Sequence, residues 1–418
     1  CGAMMVQFEG EERTLPEMGK YLLETDRDLR ERAWRATAER RLKDKDKLDQ
    51  IFDQMLKFRH QIALNAKCKN FRDYKFKSLH RFDYTPRDCK AYHQSAEEVI
   101  LPLWAKILER RKIQMKLKSF RPWDMAVDPL GRAPLKPFAK ADELIGGCSN
   151  IFKAVDPLFG KQFQEMIDLR LLDLESRKGK APGGYQSCLS EARKPFIFMN
   201  AVGLESDVRT LLHEGGHAFH SFACSDQPMA SYRHGPMEFN EVASMAMELL
   251  GGEYLEHFYA KPDVKRSKEE HLEDIVYTLI WVATIDCFQH WIYEHPMHSQ
   301  EERRQAWIKI RKRFDQGLVD WSGLEEEHAY LWHRQLHVFE VPFYYIEYGI
   351  AQLGALQLFR NAKTNWKKAV QDYRKGLALG GSETLPKIYQ TVGIQFDFSA
   401  KTIKPLMKMV AEALELKV

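Results

Sequence analysis

Read as a pattern of apolar and polar positions, the chain is mostly helical. Between residues 16 and 118 Leu, Ala and aromatic residues recur at three- and four-residue steps with Glu, Lys and Arg between them. That period predicts amphipathic helices over 17–23, 29–42, 48–66 and 89–115, with their charges on solvated faces. Pro122, Pro129, Gly131, Pro134 and Pro137 interrupt it and predict an ordered loop or crossover. Helical period returns over 141–168. Residues 170–176 alternate as a strand does, 178–184 are turn-rich, and 195–200 form a short apolar, aromatic run that fits a second strand. Further helices are expected from Ser206, from Glu238, over 265–293 and 303–314, after Gly349 and over 404–416. Gly380 to Pro386 reads as a stop and restart with Ser382 as the cap. The pattern therefore predicts a mainly α fold with a small sheet.

One of these helices carries a chemical signature. In Leu211-Leu212-His213-Glu214-Gly215-Gly216-His217 the two histidines are four apart, one turn above each other on a single helix face. Two imidazoles so placed can hold one metal ion, and Glu214 between them can take a proton from water there. Val208, Leu211, Leu212, Gly215, Phe219 and Phe222 fill a separate apolar stripe, which frees the histidine face. Ser206 is the expected N-cap, and Asp207 suits the positive end of the helix. Two interior glycines each cost about 1 kcal/mol relative to alanine, so they predict a close backbone approach. An ordinary helix with core histidines has the same bare spacing.

The next helix has an acidic stripe, Glu241, Ser244 and Glu248, on otherwise apolar surroundings. Buried carboxylates need a positive partner. Glu241 is the expected third ligand, and Glu248 an acceptor for a ligand imidazole; the bland alternative for both is solvated surface. A third histidine at position 223 with glycine at 220 is the other known pattern, and Ala223 and His220 exclude it. His220 then reads as a core histidine or one that supports a ligand. Further on, residues 332–349 concentrate His337, Tyr344, Tyr345 and Tyr348 around Pro342. Such phenol and imidazole donors suit a developing oxyanion, although aromatic stripes are more often core. The run at Phe196 to Met199 is either core or an edge strand able to pair with an extended peptide.

Composition narrows the function classes. Lys+Arg is 63 and Asp+Glu 59 in 418 residues, a net charge of +4 that gives no electrostatic case for nucleic acid or an anionic membrane. No unbroken apolar run approaches the ~18 residues of a spanning helix, and the first ten residues hold no apolar signal core. A lipid-anchored Cys1 is the one weak exception. Seven cysteines without paired spacing read as reduced thiols in a cytoplasmic protein. Oligomeric state is not legible.

With these segments together, the chain resembles the thimet oligopeptidase and oligoendopeptidase F group of zinc peptidases, nearer the oligoendopeptidase F branch. The likeness runs through Gln7-Phe8-Glu9-Gly10-Glu11 (an opening hairpin), Lys180-Ala181-Pro182-Gly183-Gly184-Tyr185 (a glycine-rich loop) and Pro195 to Asn200 (an edge strand). It continues through the His213–His217 motif, Glu241 in Asn240-Glu241-Val242-Ala243-Ser244, His337 with the 342–349 segment, Gly381-Ser382 and Val392-Gly393-Ile394. The resemblance implies a bowl-like helical body with one Zn²⁺ held by His213, His217 and Glu241, and Glu214 as general base. It further implies His337 and a tyrosine (Tyr348, then Tyr345 and Tyr344) at the oxyanion, and peptide alignment by Phe196, Phe198, Asn200, Gly183 and Gly184. Residues 1–169 are then expected to line a channel and 170–418 to form the zinc-binding part. Phe339 and Ile346 stand where the branch often has tyrosine. Members also carry a helical region ahead of the hairpin, so a more open channel, or a piece of a longer chain, is expected. The function expected is zinc endopeptidase action on short peptides; a zinc carboxypeptidase and a metal-bearing peptide binder without turnover are the alternatives.

Overall fold

The computed structural model describes residues 4–177, 180–181 and 183–417. Cys1, and Lys178, Gly179 and Pro182 of the turn-rich loop, lie outside the described residues. The fold is mainly helical with two small sheets, as the periodicity predicts. The chain opens with an antiparallel hairpin, β1 (Met5–Phe8) and β2 (Glu11–Thr14), in register from Met5↔Thr14 to Phe8↔Glu11. Helices α1 (Leu15–Tyr21), α2 (Arg27–Leu42), α3 (Lys45–Asn65), α4 (Phe71–Ser78), α5 (Pro86–Ser95) and α6 (Leu101–Gln114) follow. The run at 89–115, expected as one helix, is divided. Pro102 has no N–H to give to the preceding turn, and the backbone widens into a π turn over Ala96–Ile100 ahead of it.

After the proline-rich loop come α7 (Ala141–Val155) and α8 (Pro157–Asp168), also expected as one helix; Asp156 caps the second, and Pro157 occupies its first turn. A three-stranded sheet follows, β3 (Leu172–Glu175), β4 (Tyr185–Leu189) and β5 (Lys194–Ala201), in the order β3-β5-β4. Helices α9 (Glu205–Ala223), α10 (Met237–Gly251), α11 (Lys261–Glu294), α12 (Gln300–Asp315), α13 (Glu325–Ala329) and α14 (Leu336–Glu340) come next. The chain ends with α15 (Ile346–Thr364), α16 (Trp366–Leu379), α17 (Leu385–Val392) and α18 (Ala400–Ala413). Thr384, not Ser382, is the N-cap of α17; the Ser382 hydroxyl instead donates to the Leu379 carbonyl at the end of α16.

The chain separates into two compact units: Cys1–Pro134 with Val276–Ile346, and Leu135–Ile275 with Glu347–Val418. Helices α7 and α8 pack with α9 and belong to the second of these units. In the first unit the hairpin's Val6 and Phe8 pack on Met18 and Ala33. The prolines of the loop leave it ordered: Asp124, fully buried, takes ion pairs from Arg30 at 3.0 Å and Arg27 at 2.7 Å. In the second unit Phe152, Phe159 and Phe219 form an aromatic core under α9. Helix α11 is long and apolar enough to cross a membrane, although Asp286 interrupts it, and 78% of its apolar window is buried inside the protein.

Candidate metal centre

Helix α9 begins one residue before the expected cap. Leu204 is its N-cap residue, and the Asp207 carboxylate reaches back to accept from the backbone N–H of Leu204 at 2.9 Å and Val202 at 2.8 Å. A leucine side chain offers no acceptor, and Asp207 instead ties down the amides of the cap residue and of the loop just ahead of the helix. The stripe Val208, Leu211, Leu212 and Phe219 is buried, Phe219 lying 4.6 Å from the Phe159 ring centroid and 4.8 Å from that of Phe152. His213 and His217 are left on the other face with side chains 23% and 17% exposed.

The glycines explain how α10 arrives. A Cβ on Gly216 would sit 2.5 Å from the Ala243 carbonyl oxygen and 2.6 Å from the Ser244 Cα. The two helix backbones touch there, and only glycine permits it. A Cβ on Gly215 would likewise strike the Phe152 ring at 2.4 Å. This contact carries Glu241 to the histidines: its Oε2 is 3.5 Å from His213 Nε2 and 3.9 Å from His217 Nε2. One donor atom from each of the three residues lies within 4.8 Å of the other two. Two imidazole nitrogens and a carboxylate oxygen so gathered fit Zn²⁺, which accepts such donors at roughly 2.0–2.2 Å with one position left over.

The surrounding charges favour that use. His213 Nδ1 bonds Glu248 Oε1 at 2.6 Å, and the carboxylate partner fixes the proton on Nδ1 and leaves the Nε2 lone pair facing Glu241. Glu248 is shared, its other oxygen lying 3.1 Å from His271 Nε2. Burial alone would raise the Glu248 carboxyl, but its bonds to His213 and His271 outweigh that and hold it far below the usual range. Burial depresses His217 to about 4, against the pull of Glu241. Glu214 is 6% exposed, and its carboxyl is pushed up to about 7, chiefly by burial, with His213 opposing and Glu241 and Glu248 adding. Its Oε2 is buried without a hydrogen-bond partner among the described residues, and the β4 backbone at Gln186 bonds the same carboxylate.

Residues 21–407 match the sequence profile of peptidase family M3. The chain belongs to that family. It is 28% identical over 251 residues to an oligoendopeptidase F homolog of Borreliella burgdorferi (56% of this chain, 41% of that protein). Over 325 residues it is 24% identical to oligopeptidase PepF of Bacillus subtilis (75% and 47%). The chain thus spans less than half the length of these curated relatives. Among solved structures, PZ peptidase A with an inhibitor superposes with a TM-score of 0.93 at 31% identity, over 99% of this chain and 73% of that one. M3 is a zinc metallopeptidase family, in keeping with the donor set just described.

Other expected positions of this M3 chain need correction or placing. Strand β5 is not an edge: it pairs in parallel with β3 and antiparallel with β4, so a peptide cannot add to it. Alternation along it buries Ile197 and Met199, while Phe196, Phe198 and Asn200 occupy the other face. The Asn200 side chain donates to the carbonyls of Ala181 and Gly183 at 2.8 and 2.9 Å and so ties the glycine-rich loop down. Lys180 anchors the same loop: its Nζ bonds Asp173 and the Glu175 carbonyl and lies 4.4 Å from the Phe198 ring centroid. A Cβ on Gly184 would meet Thr210 of α9 at 3.2 Å, whereas Gly183 has open space around it. His220 is buried, packs on Phe239 and stands outside the three-donor cluster.

His337, Tyr344 and Tyr345 fall in the first unit and Tyr348 in the second. His337 Nδ1 bonds the Gln335 side chain at 2.7 Å, and its ring lies 5.0 Å from that of Tyr345 and 5.9 Å from that of Tyr344. His271 was missed in the sequence. Its signal was a histidine among the acids of an otherwise apolar helix.

Proposed function

We propose that this chain is a zinc endopeptidase acting on short peptides. The observation that carries the reading is the convergence of His213, His217 and Glu241 beside a buried glutamate, Glu214, with an unpartnered oxygen. His213, His217 and Glu241 would hold Zn²⁺, which supplies a Lewis acid that brings water to a usable pKa near 7. Glu214 takes one proton from the water whose oxygen attacks the scissile carbonyl carbon. The same proton goes to the departing amine as the C–N bond breaks. A carboxyl drawn toward neutrality by burial suits both halves of that transfer. Tyr348, in the same unit as the three metal donors, donates to the oxyanion; loss of one such donor typically costs ~10²–10³ in kcat.

The sheet has two edge strands, β3 and β4, and the extended peptide adds at β4, next to the backbone that bonds Glu214. The test is cleavage of an internally quenched peptide blocked at both ends, with product analysis by mass spectrometry. The reading requires internal cuts and at least one zinc per chain. Intact blocked peptide beside trimmed unblocked peptide would favour an exopeptidase, and bound but uncut peptide a binding protein.

A further inference from the structure

Helix α5 and the part of α11 that belongs to the first unit each place a pair of chemically active side chains one turn apart. On α5 they are Cys89 and His93; on α11, Asp286 and His290. All four are buried, Cys89 and Asp286 at 0% exposure and the two histidines at 2%. His93 Nε2 bonds Asp286 Oδ2 at 2.8 Å, and His290 Nε2 lies 3.3 Å from the same oxygen. One donor atom each from Cys89, Asp286 and His290 falls within 4.8 Å of the other two.

Hydrogen bonding does not account for this cluster. Asp286 Oδ1 and His290 Nδ1 are buried without a hydrogen-bond partner among the described residues, and His290 Nε2 has only its 3.3 Å approach to Asp286 Oδ2. Each such orphan destabilises the fold unless a partner reaches it. The walls offer no remedy, since the rings of Phe343 and Phe76 face His290 edge-on with centroids at 5.3 and 6.2 Å.

We propose that Cys89, Asp286 and His290 form a buried structural Zn²⁺ site that clamps α5 to α11, with His93 holding the Asp286 carboxylate. The charges balance: a thiolate and a carboxylate cancel the two positive charges of the ion, which makes the loaded site neutral in an apolar setting. The Cys89 proton leaves on binding. Burial, then Asp286, raise the Cys89 thiol well above its ordinary value and Arg81 only partly opposes them, so the charge of the ion itself is what releases this proton. One sulfur, one imidazole and one carboxylate select Zn²⁺ over Mg²⁺ or Ca²⁺. Three donors on two helices in a sealed core give substrate no way in, which suits a structural site.

Cobalt separates this site from the α9/α10 cluster, because only a thiolate ligand gives a near-ultraviolet sulfur-to-Co²⁺ charge-transfer band and His213, His217 and Glu241 include none. The 418-residue chain is stripped with chelator, reloaded with Co²⁺ or Zn²⁺, and assayed by absorbance, elemental analysis and thermal melting. The band is expected in the wild type and in His217→Ala, and lost in Cys89→Ser and in His290→Gln, the second variant guarding against a folding defect in the first. Zinc content is expected to fall from two per chain to one in either Cys89→Ser or His217→Ala. The melting difference between wild type and Cys89→Ser is expected to vanish in chelator. A folded wild type without the band, or a band that survives Cys89→Ser, would overturn the proposal. If Cys89→Ser halves the zinc and His217→Ala does not change it, this site stands and the peptidase reading fails.

Discussion

The α9/α10 cluster and the α5/α11 cluster are built on one plan and differ in what they leave open. Each uses donors four residues apart on a helix and completes the set from a second helix. At α9/α10 the helices touch through Gly216, the histidines stay partly exposed, and a glutamate with no ligand position stands next to them. At α5/α11 neither helix contains glycine, all donors are sealed, and a thiol takes part. Access and a spare carboxylate are what chemistry needs; closure and charge balance are what a clamp needs. The spacing alone does not distinguish them, but burial does.

The largest effect that would break this contrast is at Glu214. Glu214→Gln is expected to keep zinc by elemental analysis and to lower kcat on a quenched peptide by ~10²–10⁴; near wild-type turnover would remove the base from the open site. The same residue also costs stability. Its carboxyl binds its proton more tightly in the folded chain, at about 7 against 4.5 for an ordinary glutamate. Ionisation therefore destabilises the fold as pH rises from 4.5 through 7, with no effect below that window. In chelator-stripped protein, Glu214→Gln is expected to be the more stable form at pH 8, by on the order of 3 kcal/mol, and to show no gain at pH 4, read from urea midpoints.

Glu248→Ala should weaken zinc binding ~10–100-fold in competition with a chromogenic chelator, because His213 loses the partner that orients it; an unchanged affinity would make Glu248 a core ion pair only. Gly216→Ala is the smallest change. Its methyl must push against the α10 backbone, at a cost of about 1–3 kcal/mol in stability, with Glu241 drawn away from the histidines. Loss of zinc affinity alongside that cost is the expected result, and a stability loss alone would uncouple the helix contact from the site.

What the sequence disclosed followed from period and spacing. Helix positions, the His213/His217 pair, Glu241 and the close approach at Gly215 and Gly216 could all be read because each is local or rests on one strong pattern. Strand order was not legible. The run at Phe196 to Met199 looks like a strand at any position in a sheet, and only pairing with β3, distant in sequence, makes β5 interior. The break at Pro157 was passed over because helical period is in phase on both sides. Cys89, His93, Asp286 and His290 were visible as two four-residue spacings, yet the cysteine read as one of several isolated thiols, and only tertiary packing joins α5 to α11. Cys68, Cys89, Cys148, Cys188, Cys224 and Cys287 are all unpaired thiols, in keeping with reduced cysteine usage.

Strand β4 and Glu214 are geared together through the amide of Gln186. The turn that feeds β5 holds β4 in step: Arg193 adopts a left-handed φ of 53° and its N–H closes on the Leu189 carbonyl at 2.7 Å. An insertion or deletion of one residue in that turn would slip β4 by one position and reverse which of its amides point outward. The carboxylate would lose its tether in the same stroke that the sheet's outer rim changes parity.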